Sequence, residues 1–103
     1  MKIECQTDNA NHRKTFVLDG ELDVHQAKTL KATVMEALEP DDVWTYVIDM
    51  ARVGYIDSSG LGMLVYLKKE ILRNQGRLMI EKPTDAVLNV FRLTKLNEFF
   101  ELS

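Results

Sequence analysis

The chain has 103 residues, of which 46 % are apolar and 28 % charged, with a net charge of −3. A domain of this size buries roughly 60–65 % of its unfolded surface, enough for a real core. The slight acidic balance gives no basic footprint for nucleic acid or an anionic membrane, and no apolar run reaches the length of a membrane span. These totals predict a single α/β-sized domain over residues 1–103, in the cytoplasm, with no cofactor and a monomer as the default state. Met1 to Gln6 turn polar before any leader-like apolar stretch develops. The lone Cys5 rules out an internal disulfide and is expected to pack as a small apolar residue in a reducing compartment.

In chain order, Ile3 to Thr7 reads as a short strand, Asp8 to Arg13 as a turn, and Thr15 to Leu18 as a second strand, together a hairpin. Asp19-Gly20 breaks that pattern. Asp23 followed by Gln26 fits a helix N-cap with a reciprocal partner at the third helical position. Behind it Ala27, Leu30, Val34, Ala37 and Leu38 recur at helical spacing, and Pro40 ends the helix. Val43 to Met50 is almost continuously apolar and β-branched or aromatic, the pattern of a central strand. A second helix starts near Ser58, with Leu61, Leu64, Val65, Leu67, Lys68, Ile71 and Leu72 on its inner side, and Asn74-Gln75-Gly76 stops it. Arg77 to Glu81 is a further short strand. Pro83-Thr84 opens a third helix whose Val87, Leu88, Val90, Phe91 and Leu93 pack inward. The tail, Glu98 to Leu102, reads as a last short strand. This order predicts a mixed, partly parallel β-sheet with right-handed crossovers and helices packed mainly on one face.

The stretch Ile56-Asp57-Ser58-Ser59-Gly60-Leu61-Gly62 concentrates the chemistry. Glycines inside a helix cost about 1 kcal/mol each relative to alanine, so local stability does not account for Gly60 and Gly62 in the opening turn. Their missing side chains let another backbone, a ligand or a protein partner approach the helix end. The free N–H groups there, with the helix dipole, accept an anion. A phosphate on serine would therefore be tolerated by the fold. It would add about −1.5 to −2 charges beside Asp57, and near Glu21 and Asp23 if the Gly20 loop lies alongside.

These residues carry a resemblance. Gly20-Glu21-Leu22-Asp23 before the first helix, the apolar strand through Val47-Ile48-Asp49-Met50, and Ile56 to Gly62 opening the second helix make the chain similar to the STAS-domain anti-sigma factor antagonist family, over nearly its whole length. The resemblance implies a STAS domain and a partner-switching role. An anti-sigma factor that is also a serine kinase of the histidine-kinase-like ATPase class binds the unphosphorylated antagonist and releases its client. It then phosphorylates the serine matching Ser58, which ends binding, and a metal-dependent serine phosphatase resets the protein. The same resemblance places Glu21, Asp23, Asp57, Ser59, Gly60, Leu61 and Gly62 at or beside the partner-binding surface. Two features depart from the family pattern: the chain given stops at Ser103 where relatives often carry a further helix, and Thr94-Lys95-Leu96 stands where a glycine is common.

Plainer readings compete. Asp57 and Ser58 both suit an N-cap; Ser59 is a first-turn hydroxyl or an alternative acceptor; Glu21 is a solvated loop acid or a contact. Tyr66, Lys69 and Arg73 form an outward stripe that is either simply solvated or an extension of a partner surface. Trp44 and the methionines read as packing residues. Catalysis by the chain itself is not expected, since no glycine precedes the serine in the G-x-S-x-G manner and only His12 and His25 are available as bases. The phosphate-loop pattern is missing and no metal-ligand spacing occurs. A different circuit on the same fold is a STAS subunit bracing the ATPase of a lipid-transport complex, which needs no phosphorylatable serine.

Overall fold

The computed structural model describes residues 1–40 and 42–102. Its elements are β1 (Lys2–Asp8), β2 (Arg13–Leu22), α1 (Val24–Ala37), β3 (Thr45–Ile56), α2 (Ser58–Arg73), β4 (Arg77–Glu81), α3 (Asp85–Leu93) and α4 (Leu96–Phe99). The four strands form one sheet in the order β1-β2-β3-β4. β1 runs antiparallel to β2, and the β2–β3 and β3–β4 pairs are parallel. Helices α1 and α2 are the crossovers that parallel neighbours require. Among the described residues no helix is long and apolar enough to cross a membrane, and no group of His, Cys, Asp or Glu is placed to hold a metal ion.

One sheet face carries Phe16 and Leu18 from β2, Tyr46, Ile48 and Met50 from β3, and Leu78 and Ile80 from β4, all buried. Leu30 and Val34 of α1, Leu64, Leu67 and Ile71 of α2, and Val87 and Phe91 of α3 close over it as one core. The apolar stripes read from the spacing are thus the buried ones, with two corrections. Leu72 and Leu93 are exposed, because they follow Ile71 and Phe91 by one and two residues, about 100° and 200° around the helix. Cys5 is exposed as well. It lies in β1, the sheet edge, where Ile3 alone is even half-buried.

Both long strands outrun their apolar runs. β2 continues through Asp19-Gly20-Glu21 to Leu22, with Gly20 at φ 131°, a conformation open to glycine. β3 continues through Arg52 and Gly54 to Ile56. Register shifts between Val17 and Asp19 and between Gly20 and Glu21 absorb the irregularity. The expected strand at Glu98–Leu102 is overturned: the chain forms the short helix α4 there. A strand would send Phe99 and Phe100 to opposite faces. The helical turn instead buries Phe100 edge-on against Phe91, with Phe99 edge-on to Phe100 at 5.0 Å. The Lys68 ammonium donates to the Phe99 carbonyl and lies over both rings. Lys95 begins this turn in the left-handed region, φ 59°, which explains why glycine suits the position.

Two buried polar groups pin the far end of α1. The Tyr46 hydroxyl, 1 % exposed, accepts from the Glu39 backbone N–H at 2.7 Å. Lys14 donates to the Ala37 carbonyl and to Glu39. The near end of α2 is set by Gly60. A Cβ there would lie 2.5 Å from the Leu22 carbonyl oxygen and 2.9 Å from side-chain carbons of Leu22 and Ile56, whereas a Cβ on Gly62 would meet nothing within 4 Å. The two glycines therefore have opposite predicted effects in urea unfolding. Gly60→Ala lowers stability by about 2–3 kcal/mol through overpacking, and Gly62→Ala raises it by about 0.5–1 kcal/mol. In the same assay Tyr46→Phe loses about 1–2 kcal/mol, because the Glu39 N–H is left without its acceptor.

Candidate functional site

β2 and β3 end side by side, with Leu22 paired to Ile56, and each runs directly into a helix. Asp23 caps α1, its carboxylate accepting from the backbone N–H groups of His25 (3.1 Å) and Gln26 (3.0 Å). Asp57 caps α2, accepting from the Gly60 N–H at 2.9 Å. The Asp57 N–H donates to the Leu22 carbonyl, the same oxygen that Gly60 approaches. One carbonyl thus ties the two helix starts together at the carboxyl ends of parallel strands, the usual place for a site in such sheets.

Because Asp57 is the cap, Ser58 is not. It is the first residue of α2, exposed, with Ser59 exposed behind it. Among the described residues neither hydroxyl has a hydrogen-bond partner. The competing N-cap reading is therefore settled for Asp57 alone, and the Ser58 hydroxyl has no structural task.

The register also brings the acids together. Glu21 pairs with Tyr55 one position before Leu22–Ile56, so Glu21, Asp23 and Asp57 all belong to this end of the sheet. None of the three forms an ion pair with a described residue. Glu21 is exposed, while Asp23 and Asp57 are half-buried. Glu21 and Asp23 thus come to the same end as Asp57, but Gly20 stands inside β2, paired with Val53, and forms no loop. Of the residues expected at the surface, Gly60 and Leu61 are buried. They seat α2 on the sheet and are not available for contact. Gly62 is exposed, the fifth residue of α2 and past its first turn, with open space around it. A glycine in that place has no steric reason within the fold.

Sequence reasoning missed two apolar side chains on the rim. Val24, directly after the Asp23 cap, is 45 % exposed, and Tyr55, before the Asp57 loop, is 50 % exposed. Their signal was available: Val24 lies off the Ala27–Leu30–Val34 stripe, and Tyr55 alternates with buried Ile56. Chemically, the arrangement presents an unengaged hydroxyl on a helix N-terminus, with three carboxylates and two exposed apolar side chains at the same end of the sheet. His12 stacks on Trp44 at 4.8 Å, and neither it nor His25 bonds to Ser58.

The STAS domain model matches residues 3–103. The anti-sigma-B factor antagonist of Listeria monocytogenes is 31 % identical over 105 residues, an alignment spanning 99 % of this chain and 88 % of that protein. The structure of the anti-sigma factor antagonist SpoIIAA in its unphosphorylated form superposes with a TM-score of 0.77 at 24 % identity, covering 94 % of this chain and 84 % of that one. The phosphorylated form of the Bacillus cell fate determinant SpoIIAA gives 0.72 at 24 % identity, covering 94 % and 86 %. At that identity the structures speak to the fold alone, which this chain shares. The family model over almost the full chain, with a relative above 30 % identity from end to end, is decisive: the chain belongs to the STAS-domain anti-sigma factor antagonist family.

Proposed function

We propose that this protein is the antagonist of a partner-switching circuit, with Ser58 as its phosphorylated residue. The unphosphorylated chain binds an anti-sigma factor that doubles as an ATP-dependent serine kinase, of the histidine-kinase-like ATPase class, and so frees that factor's client. Transfer of the γ-phosphoryl group to Ser58 Oγ ends the complex, and a metal-dependent serine phosphatase restores it. The observation that carries this reading is the division of labour at the start of α2: Asp57 caps the helix, leaving Ser58 exposed and unengaged. Glu21, Asp23, Asp57, Ser59 and Gly62 are the proposed contact residues, while Gly60 and Leu61 hold the surface in place from beneath.

The switch works on the partner and leaves the fold intact. A phosphate on the first residue of a helix meets free N–H groups and the positive end of the dipole. The added charge instead confronts whatever the partner sets against it. One unfavourable charge pair at ~5 Å, with an effective dielectric of ~20, costs roughly 3 kcal/mol, more than a hundredfold in affinity.

Incubation with the kinase and ATP is expected to add one phosphate per chain, mapped to Ser58 by mass spectrometry. Ser58→Ala abolishes it and Ser59→Ala does not; transfer to Ser59 alone would overturn the assignment. Ser58→Asp is expected to leave the unfolding midpoint close to that of the unmodified protein while releasing the kinase in a comparative pull-down. Ser58→Ala retains the kinase. A large loss of stability in Ser58→Asp would mean that the charge acts on the fold.

A further inference from the structure

Beyond the helix starts, the molecule carries an unpartnered surface whose charge is opposite to that of the acidic rim. α1 and α2 follow neighbouring parallel strands and so run side by side in the same direction. On α2, Ser58, Gly62, Tyr66, Lys69 and Arg73 recur at intervals of four, four, three and four residues and form one outward stripe. On α1, exposed Val24, Lys28 and Lys31 recur at intervals of four and three on one flank of the helix, and half-buried Met35 closes that row against the core. The two stripes meet: the Lys31 ammonium sits over the Tyr66 ring, 4.8 Å from its centroid. Tyr66 lies eight residues, about 12 Å of helix, beyond Ser58, and Lys31 lies eight residues beyond the Asp23 cap of α1.

Three properties set this seam apart from an ordinary solvated face. Neither stripe contains an acid. Glu70, the only acid of α2, is turned to Arg73 at 3.2 Å, and among the described residues Lys28, Lys31 and Lys69 form no ion pair. Side chains on a helix lean toward its N-terminus, so the Tyr66 ring leans back toward position 62. The bare Gly62, with nothing within 4 Å of where its Cβ would stand, leaves open space one turn before Tyr66, whose ring carries the Lys31 ammonium. The stripe also begins at Ser58 itself.

We propose that the partner surface continues from Ser58 along the α1–α2 seam and takes an acidic segment of the switching partner, its carboxylates on Lys31 and Lys69 and its apolar part over Gly62 and Tyr66. This rests on the partner-switching reading above. The acidic rim and the basic seam then form a two-signed surface that accepts a partner in one orientation, since reversing it would set like charges together.

The test uses the purified kinase identified by the Ser58→Ala chain and measures its dissociation constant by calorimetric titration. The charge reversal Lys31→Glu with Lys69→Glu, both on exposed positions, is expected to weaken binding at least about tenfold. Lys2→Glu, on the distant edge strand, is expected to leave it unchanged. Thermal unfolding of each variant verifies that the fold is kept. If Ser58→Asp abolishes binding while the double reversal binds as tightly as the unmodified chain, or more tightly, the seam is not the acidic-segment site and the switch stands. If Ser58→Asp also binds normally, both readings fall. A double reversal that unfolds is replaced by Lys31→Gln with Lys69→Gln, for which an unchanged dissociation constant likewise overturns the proposal.

Discussion

The carbonyl oxygen of Leu22 is the fixed point on which the functional end of this protein is built. It closes β2, accepts the Asp57 N–H and lies where any side chain on residue 60 would have to go. Because the contact is between backbones, it leaves little room for adjustment. α2 can begin at Ser58 and still lie against the sheet only if residue 60 has no Cβ. From that constraint follows the capping of α2 by Asp57, the outward position of Ser58 and the proximity of Asp23 and Glu21. The opposite end of α1 is held by different means, the Tyr46 hydroxyl and Lys14 beneath the last turn.

The glycines of the switch stretch therefore divide by physical role. Gly60 belongs to the fold: replacing it forces a backbone apart. Gly62 belongs to the surface: replacing it with alanine should strengthen the helix. A glycine there keeps the surface of α2 bare at the cost of helix propensity, which fits the close approach of a partner under the proposed function. The same logic applies to the serine. A hydroxyl at a helix start is commonly a cap, and here the cap is demonstrably the neighbouring aspartate. What remains is a hydroxyl exposed at the helix start, without a hydrogen-bond partner among the described residues. On the proposed reading, phosphorylation is an electrostatic event at an interface, and the helix end absorbs its local cost.

Most of the architecture was legible because its signals are local. The Asp23 and Asp57 helix starts, the stripes through Leu30–Val34 and Leu64–Leu67–Ile71, and β4 at Arg77–Glu81 are all written in spacing and caps. What was not legible depended on residues distant in sequence. The lengths of β2 and β3 were hidden by Gly20 and Gly54, which interrupt the apolar runs while register shifts carry the pairing past them. The tail was misread as a strand because Phe99-Phe100 is apolar and β-prone, whereas Phe91 and Lys68 select a helical turn. Cys5 has the composition of a core residue but falls on the sheet edge. Gly60 and Gly62 could not be told apart until Leu22 was seen to touch only the first. For the site, the family motif singled out Ile56 to Gly62 without telling which members face outward; the exposed Val24 and Tyr55 and the Lys31–Tyr66 contact needed three dimensions.

The central claim is that one phosphoryl group on Ser58 separates two folded proteins. It is tested most directly by titrating the kinase partner with the unmodified chain and with the same chain phosphorylated on Ser58, without ATP, and comparing dissociation constants. A weakening of more than about a hundredfold with an unchanged unfolding profile is the predicted result. Equal affinities for the two forms would contradict it.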